Sequence, residues 1–231
     1  LDVGANDGST ACMLACIDTS RVVVAIDPSP ILVESMRCPY NNINKMAALL
    51  SHKNDGKIRK HDNLYVDDLT PKKDGNVPIT SVDTLFTNRT AAFLHIDVEG
   101  HESNVVQGAI KTIRRDQPVV MLEIFLDDFL AKNKNILKHR DLMKEMSLLG
   151  YTNFVIDEAC GIPNTCRNVL CIPNQLMSDM SLWLDAQQQT KSIYRVRYKS
   201  PSLAPPPARR VFKTSFSEAR RISNEAIFAI K

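Results

Sequence analysis

Leu1-Asp2-Val3-Gly4-Ala5-Asn6-Asp7-Gly8-Ser9-Thr10 opens the chain, and its reading decides how the rest is organised. An apolar lead-in, two glycines and a Ser/Thr pair spell strand, tight turn and helix N-terminus in succession. Gly4 and Gly8 permit positive φ and admit a ligand where a Cβ would stand in its way. The first N–H groups of the following helix favour an acidic ligand group. Spacing narrows the ligand further. A dinucleotide fingerprint requires G-x-G-x-x-G, and here Asn6 stands where the middle glycine belongs. That glycine makes room for a pyrophosphate, so its absence argues against NAD and suits a smaller ligand.

Strands usually run to about five or six residues, yet little chain precedes this turn. The reading therefore expects more strand upstream of Leu1, where a signal or anchor would lie outside this sequence. The chain of 231 residues fits one α/β domain with an appendage, or at most two small domains. Apolar residues make up 44%, enough for a proper core. No run approaches the roughly 20 apolar residues of a membrane helix. The net charge of +3 singles out no partner, but its distribution is uneven. Residues 190–231 hold ten Lys/Arg against two Asp/Glu, a net +8 that leaves residues 1–189 at −5. Such a tail reads either as a solvated extension or as a contact for RNA or an anionic membrane surface.

Six cysteines stand at 12, 16, 38, 160, 166 and 171 with no C-x-x-C pair, so zinc spacing is absent. Cys12 and Cys16, one helical turn apart, read as small buried residues. Cys160 and Cys166 are spaced to bridge a loop, and Asn88-Arg89-Thr90 is a glycosylation sequon. Both would fit the secretory pathway if a signal precedes Leu1; otherwise the cytoplasm is the compartment to expect.

Downstream of the glycine loop, residues 9–17 form a short helix. Arg21-Val22-Val23-Val24-Ala25-Ile26-Asp27 reads as a buried parallel strand closed by an acid. Ser29 and Pro30 make an N-cap and first-turn pair for a helix that stops before Pro39. Met46 to Leu50 is the third strand, followed by a polar stretch through Asp68 with a weak hairpin pattern. Ala92 to Gly100 contains the fourth strand, ending in acids and a glycine. A helix over 102–115 follows, its stripe formed by Val105, Val106, Ala109, Ile110 and Ile113. Pro118 to Ile124 is the fifth strand, 136–149 the next helix with Gly150 as its C-cap, and Tyr151–Asp157 and Asn168–Pro173 two closing strands. Alternating strands and helices predict a doubly wound, mostly parallel sheet. Past Asn174 the pattern weakens: 200–208 is a proline-rich linker, and Ser215-Phe216-Ser217-Glu218 is a capping box opening a last amphipathic helix. The expected organisation is a domain over 1–174 and a basic extension over 175–231.

In open α/β sheets, ligands sit beyond the carboxyl ends of the strands. Asp2, Asp27 and Asp97 all stand there. Asp27 follows Gly4 by 23 residues, close to the roughly 20 at which an acid meets a ribose hydroxyl pair. Asp2 suits either a ligand ammonium or the loop's own N–H groups. The densest constellation is His95, Asp97, Glu99, His101 and Glu102. Residues 95, 97 and 99 share one face of a strand, which invites a metal. One strand end rarely supplies a full ligand set, however, and no second His or Asp cluster accompanies it, so no metal is expected. Proton handling beside the ligand fits these residues better. His95 alone reads as a satisfied, partly buried histidine, and Glu102 doubles as a favourable charge at a helix N-terminus.

LDVGANDG at 1–8, AIDPSP at 25–30, SVDTLF at 81–86 and FLHIDVEGHESNVVQGA at 93–109 resemble, in order and spacing, successive blocks of the FkbM-type methyltransferases. These are class I enzymes dependent on S-adenosyl-L-methionine. The resemblance covers residues 1–126 and extends to about 174. It implies a Rossmann-like, doubly wound, mostly parallel seven-stranded sheet of order 3-2-1-4-5-7-6, with the last strand antiparallel and, here, the first truncated. It also implies that Asp2, Gly4, Asn6 and Gly8 line the methionine and adenosine side, and that Asp27 binds the ribose hydroxyls. Asp97, Glu99, His101 and Glu102 would lie at the methyl-acceptor side. The resemblance has no counterpart for the basic tail.

The expected function is O-methylation of a hydroxyl on a small molecule or glycan. The resemblance to class I methyltransferases also implies that an enzyme acting on amino groups of nucleic-acid bases would carry something like Asn-Pro-Pro-Tyr after the fourth strand, and nothing like it stands here. The alternative is a non-catalytic cofactor-binding domain whose tail docks on RNA or an anionic membrane; such docking would weaken steeply with salt.

Overall fold

The computed structural model describes residues 1–52, 57–58, 76–125, 139–156, 166–189 and 193–195. The chain divides into two compact units, 1–117 and 118–231.

In the first unit β1 (Asp2–Val3), α1 (Ser9–Ile17), β2 (Val23–Asp27), α2 (Pro30–Ser35) and β3 (Ile43–Ala47) alternate, and β7 (Phe93–Ile96) returns later. Strand β1 lies between β2 and β7 and β2 pairs with β3, all parallel, giving the order β3-β2-β1-β7, which is the 3-2-1-4 of the expected sheet with β7 as its fourth strand. Almost all of β2 is buried, as an apolar strand covered on both faces should be. The register matters for the site. Asp2 stands opposite both Ala25 and His95, so these side chains share a face of the sheet. Asp27 and Asp97, two residues beyond those partners, emerge on the same face.

Helix α1 presents Ala11 and Ala15, one turn apart and fully buried, to a cluster with Ala5, Val23, Ala25 and Met36. Small side chains let the helix approach the sheet closely. Cys12, beside them, forms a disulfide with Cys38, and Cys16 is an exposed free thiol. This corrects the reading of Cys12 and Cys16 as small buried residues. Only Ala11 and Ala15 turn fully inward; positions 12 and 16 border that stripe, one meeting the segment after α2 and the other solvent. Ser29 caps α2 by accepting from the Leu32 N–H at 3.4 Å, with Pro30 in the first turn.

The third strand runs over Ile43–Ala47 rather than 46–50. The Ala48 N–H donates to the Asp27 carbonyl at 3.2 Å, the last bond of the β2–β3 ladder. The chain then continues as β4 (Leu49–Leu50) in a second, small sheet with β5 (Lys57–Ile58) and β6 (Val77–Thr80). Strand β6 carries Pro78 and was not anticipated.

The helix expected over 102–115 is two helices, α4 (Glu102–Gln107) and α5 (Ile110–Asp116). The cause is Asp83, on the short α3 (Val82–Leu85). Its backbone N–H takes the Gly108 carbonyl at 2.9 Å. Its carboxylate accepts from Thr112 N at 2.8 Å and Lys111 N at 3.1 Å. One residue thus occupies groups that a continuous helix would have paired internally. Gly108 is also where a Cβ would come within 2.3 Å of the Ser51 carbonyl oxygen.

The second unit holds β8 (Val119–Phe125), α6 (His139–Leu148), β9 (Tyr151–Ile156), β10 (Cys166–Pro173), α7 (Ser181–Gln189) and β11 (Ile193–Arg195). Strand β10 runs antiparallel between β8 and β9, so that β8-β10-β9 is the 5-7-6 of the expected sheet, and β11 adds antiparallel to β9. Helix α6 buries Leu142, Met143 and Met146. Asn153 of β9 ties to it, donating to the Met143 carbonyl at 2.9 Å, and the Tyr151 hydroxyl donates to the Pro118 carbonyl at 2.8 Å. The proline-rich segment, the last helix and Cys160 lie outside the described residues.

Candidate functional site

The glycine loop of the first unit takes left-handed backbone at three positions: Gly4 (φ 78), Asn6 (φ 48) and Gly8 (φ 80). Glycine adopts this region freely, and asparagine is among the residues that tolerate it best. The N–H groups of Gly4 and Ala5 both reach the Ile26 carbonyl, at 2.9 and 3.0 Å, pinning the loop to the end of β2. Gly4 is packed so closely on β7 that a Cβ there would lie 1.7 Å from the Asp97 carbonyl oxygen. Gly8 faces the Met36 side chain, whose Cγ would be 2.9 Å from an added Cβ.

Asp27 joins the loop to α2. Its Oδ2 accepts from Asn6 N at 3.1 Å and its Oδ1 from Ser29 N at 2.7 Å. A carboxylate has about four lone-pair sites, so both oxygens keep acceptor capacity after these bonds. Asp2 is fully buried, with Oδ1 2.6 Å from His95 Nδ1. Burial pushes the His95 imidazole down, but its hydrogen bond to Asp2 and the charges of Asp2 and Asp97 prevail and hold it above the usual range.

Beyond β7 the chain makes a tight turn over 97–102. Glu99 sits at φ 54, backbone that a non-glycine residue rarely adopts, and Gly100 follows at φ 103. Such strain costs on the order of 1–3 kcal/mol and clusters at functional sites. Glu102 holds the turn from inside: fully buried, its Oε1 accepts from Gly100 N at 3.0 Å and Val98 N at 3.2 Å. Glu99 is exposed; partial desolvation, then the charges of Asp97 and Glu102, push its carboxyl above the ordinary range. Partial burial lowers the His101 imidazole, with Glu102 opposing.

The fold thus brings Gly4 against Asp97, Asn6 against Asp27, and Asp2 against His95, all toward the carboxyl ends of β1, β2 and β7. Glu99 and His101 sit on the turn just beyond, while Glu102 points into its support. Sequence reasoning missed Met36 as the wall facing Gly8 and the Cys12–Cys38 bond that anchors the neighbouring segment. Met36 is one apolar residue among several near the end of a short helix, and a lone cysteine at 38 carried no spacing signal.

A turn held by Glu102 predicts an asymmetric response. Glu102→Gln keeps an acceptor oxygen and should be nearly neutral, whereas Glu102→Ala strands two backbone donors and should cost about 1–3 kcal/mol. Urea denaturation of both variants checks this; equal losses would contradict the assignment.

The strand orders 3-2-1-4 and 5-7-6, with the glycine loop after the first strand, define an α/β fold of the class I methyltransferase type. The chain belongs to the FkbM methyltransferase family, residues 2–152 matching the Methyltransferase FkbM domain. Among solved structures it is similar to a methyltransferase FkbM from Methylobacillus flagellatus KT, at 15% identity and TM-score 0.48 over 73% of this chain and 42% of that one. It is also similar to a precorrin-6y C5,15-methyltransferase from Geobacter metallireducens GS-15, at 14% identity and TM-score 0.40 over 74% of this chain and 78% of that one. The chain therefore spans less than half the length of the Methylobacillus protein. No curated protein matches. Among the described residues no helix is long and apolar enough to cross a membrane.

Proposed function

We propose that this chain binds S-adenosyl-L-methionine on its glycine loop and methylates a hydroxyl group on a small molecule or glycan. The observation that carries the reading is Asp27, whose carboxylate is fixed by the Asn6 and Ser29 N–H groups beside the loop and still has lone pairs to offer. The residues fit the cofactor's chemistry. Asp27 would hold the ribose hydroxyls, and Gly4, Asn6 and Gly8 leave backbone space for the methionine and adenosine side. Asp2 brings a buried carboxylate oxygen that lacks a hydrogen-bond partner among the described residues. When bound, the sulfonium cofactor supplies an electrophilic methyl group.

The chain's own part is alignment and proton handling. Holding the acceptor oxygen in line is worth much of the barrier, and no covalent enzyme nucleophile is needed. Asp97, Glu99 and His101 lie at the acceptor side, with Glu99 and His101 as proton acceptors for the hydroxyl. A carboxylate above its ordinary range is a stronger base, and a lowered imidazole is neutral at neutral pH and free to accept. Glu102, buried on two N–H groups, positions that turn. The methyltransferase domain is read as 1–174, followed by a basic extension over 175–231.

Incubating extracts with the protein and isotopically labelled methyl donor tests the reaction: a labelled product one methylene heavier supports it, and none in any extract goes against it. Asp27→Ala should weaken S-adenosylhomocysteine binding by about tenfold or more, because ribose loses a charge-assisted, two-oxygen partner. An unchanged dissociation constant would show that Asp27 does not hold the ribose.

A further inference from the structure

Asp2 and His95 lie opposite one another in the parallel β1–β7 pair and project from the same face of the sheet. Asp2's other register neighbour, Ala25, offers no polar group. The carboxylate is fully buried, and its Oδ1 is tied to His95 Nδ1 at 2.6 Å. Its Oδ2 is equally buried and has no hydrogen-bond partner among the described residues. A buried carboxylate oxygen without a donor is strongly unfavourable, so the arrangement is complete only when something donates to it. The loop that begins two residues later is where the proposed cofactor lies.

We propose that His95 is a positioning residue for the cofactor's amino-acid end. By fixing Oδ1 it leaves Oδ2 of Asp2 to receive the ammonium group, directly or through one water. The inference rests on the reading of the glycine loop as an S-adenosyl-L-methionine site and assigns the imidazole a task beyond packing. An imidazole suits this task because its second nitrogen stays away from the carboxylate while Nδ1 fixes the orientation.

Two probes separate this role from a structural one. S-adenosylhomocysteine carries the amino-acid end, whereas 5′-methylthioadenosine has the same nucleoside and thioether without it. His95→Leu should weaken S-adenosylhomocysteine about tenfold, the size of a lost charge-assisted contact, and leave methylthioadenosine unchanged. His95→Asn, whose amide nitrogen can occupy the place of Nδ1, should recover most of the loss. Should the leucine variant fold poorly, Asp2→Asn in the presence of His95 gives the same split between probes, and the doubly substituted chain should show no further loss. Equal weakening of both probes, or no weakening of either, overturns the proposal. Wild-type protein that binds neither probe overturns the cofactor reading itself, and this inference with it.

Discussion

Gly4→Ala should be the most damaging single methyl group that can be added to this chain. Its Cβ would stand 1.7 Å from the Asp97 carbonyl oxygen and 2.8 Å from the carbonyl carbon, against a backbone φ of +78. Neither atom is the end of a flexible side chain. The loop must leave the end of β7, which breaks the Gly4 and Ala5 bonds to Ile26 as well. A loss of about 4 kcal/mol or more, among the largest single-residue effects, is expected. Gly8→Ala is the internal comparison. There the obstruction is the Met36 side chain, at 2.9 to 3.3 Å, and an unbranched thioether can swing aside. What remains is the left-handed backbone, roughly 1–2 kcal/mol. Chemical denaturation of the two variants reads the difference, and equal small losses would show that the loop does not rest on β7 as described.

Removing the Cys12–Cys38 disulfide should be the second large effect. The bond closes a sequence separation of 26 residues, enclosing the end of the glycine-loop helix, β2 and α2. In the chain-entropy account a loop of this size contributes about 3.5 kcal/mol. The bond also anchors the segment that carries Met36 against Gly8, so Cys38→Ser should both lower the denaturation midpoint and weaken S-adenosylhomocysteine binding. Alkylation of the unreduced, folded protein provides the check on connectivity. Cys16, exposed with its Sγ 2.9 Å from the Tyr40 hydroxyl, should be labelled. Cys12 and Cys38 should not. Cys171 is buried, and burial pushes its thiol well above the usual range, so it should react only after unfolding. Labelling of Cys12 and Cys38 without reductant would contradict the bond.

How far the sequence carried can be seen at particular residues. The G-x-x-x-G loop, the acid closing Val23–Asp27 and the acid-rich end of Phe93–Ile96 were legible because glycine conformational freedom and apolar runs are local signals. The break at Gly108 was not: the stripe from Val105 to Ile113 has helical spacing throughout, and Asp83, 25 residues before Gly108, takes the Lys111 and Thr112 N–H groups that a continuous helix would pair internally. The end of β3 at Ala47 was not legible either, because Leu49 pairs with Ile79 of β6, 30 residues later in the chain. At the site, spacing alone could not separate Glu99 from Glu102. Three residues apart, they share chemistry in the sequence, yet one is exposed on strained backbone and the other is buried on two N–H groups. His95 is hydrogen-bonded, as a satisfied histidine should be, but its partner Asp2 is 93 residues away and spacing could not name it.

The most direct measurement is a calorimetric titration of the full chain with S-adenosylhomocysteine. A loop shaped by Gly4, Asn6 and Gly8 and braced by Asp27 predicts saturable binding at one site per chain. A flat titration at millimolar ligand would mean that these residues shape a turn and hold no adenosyl group.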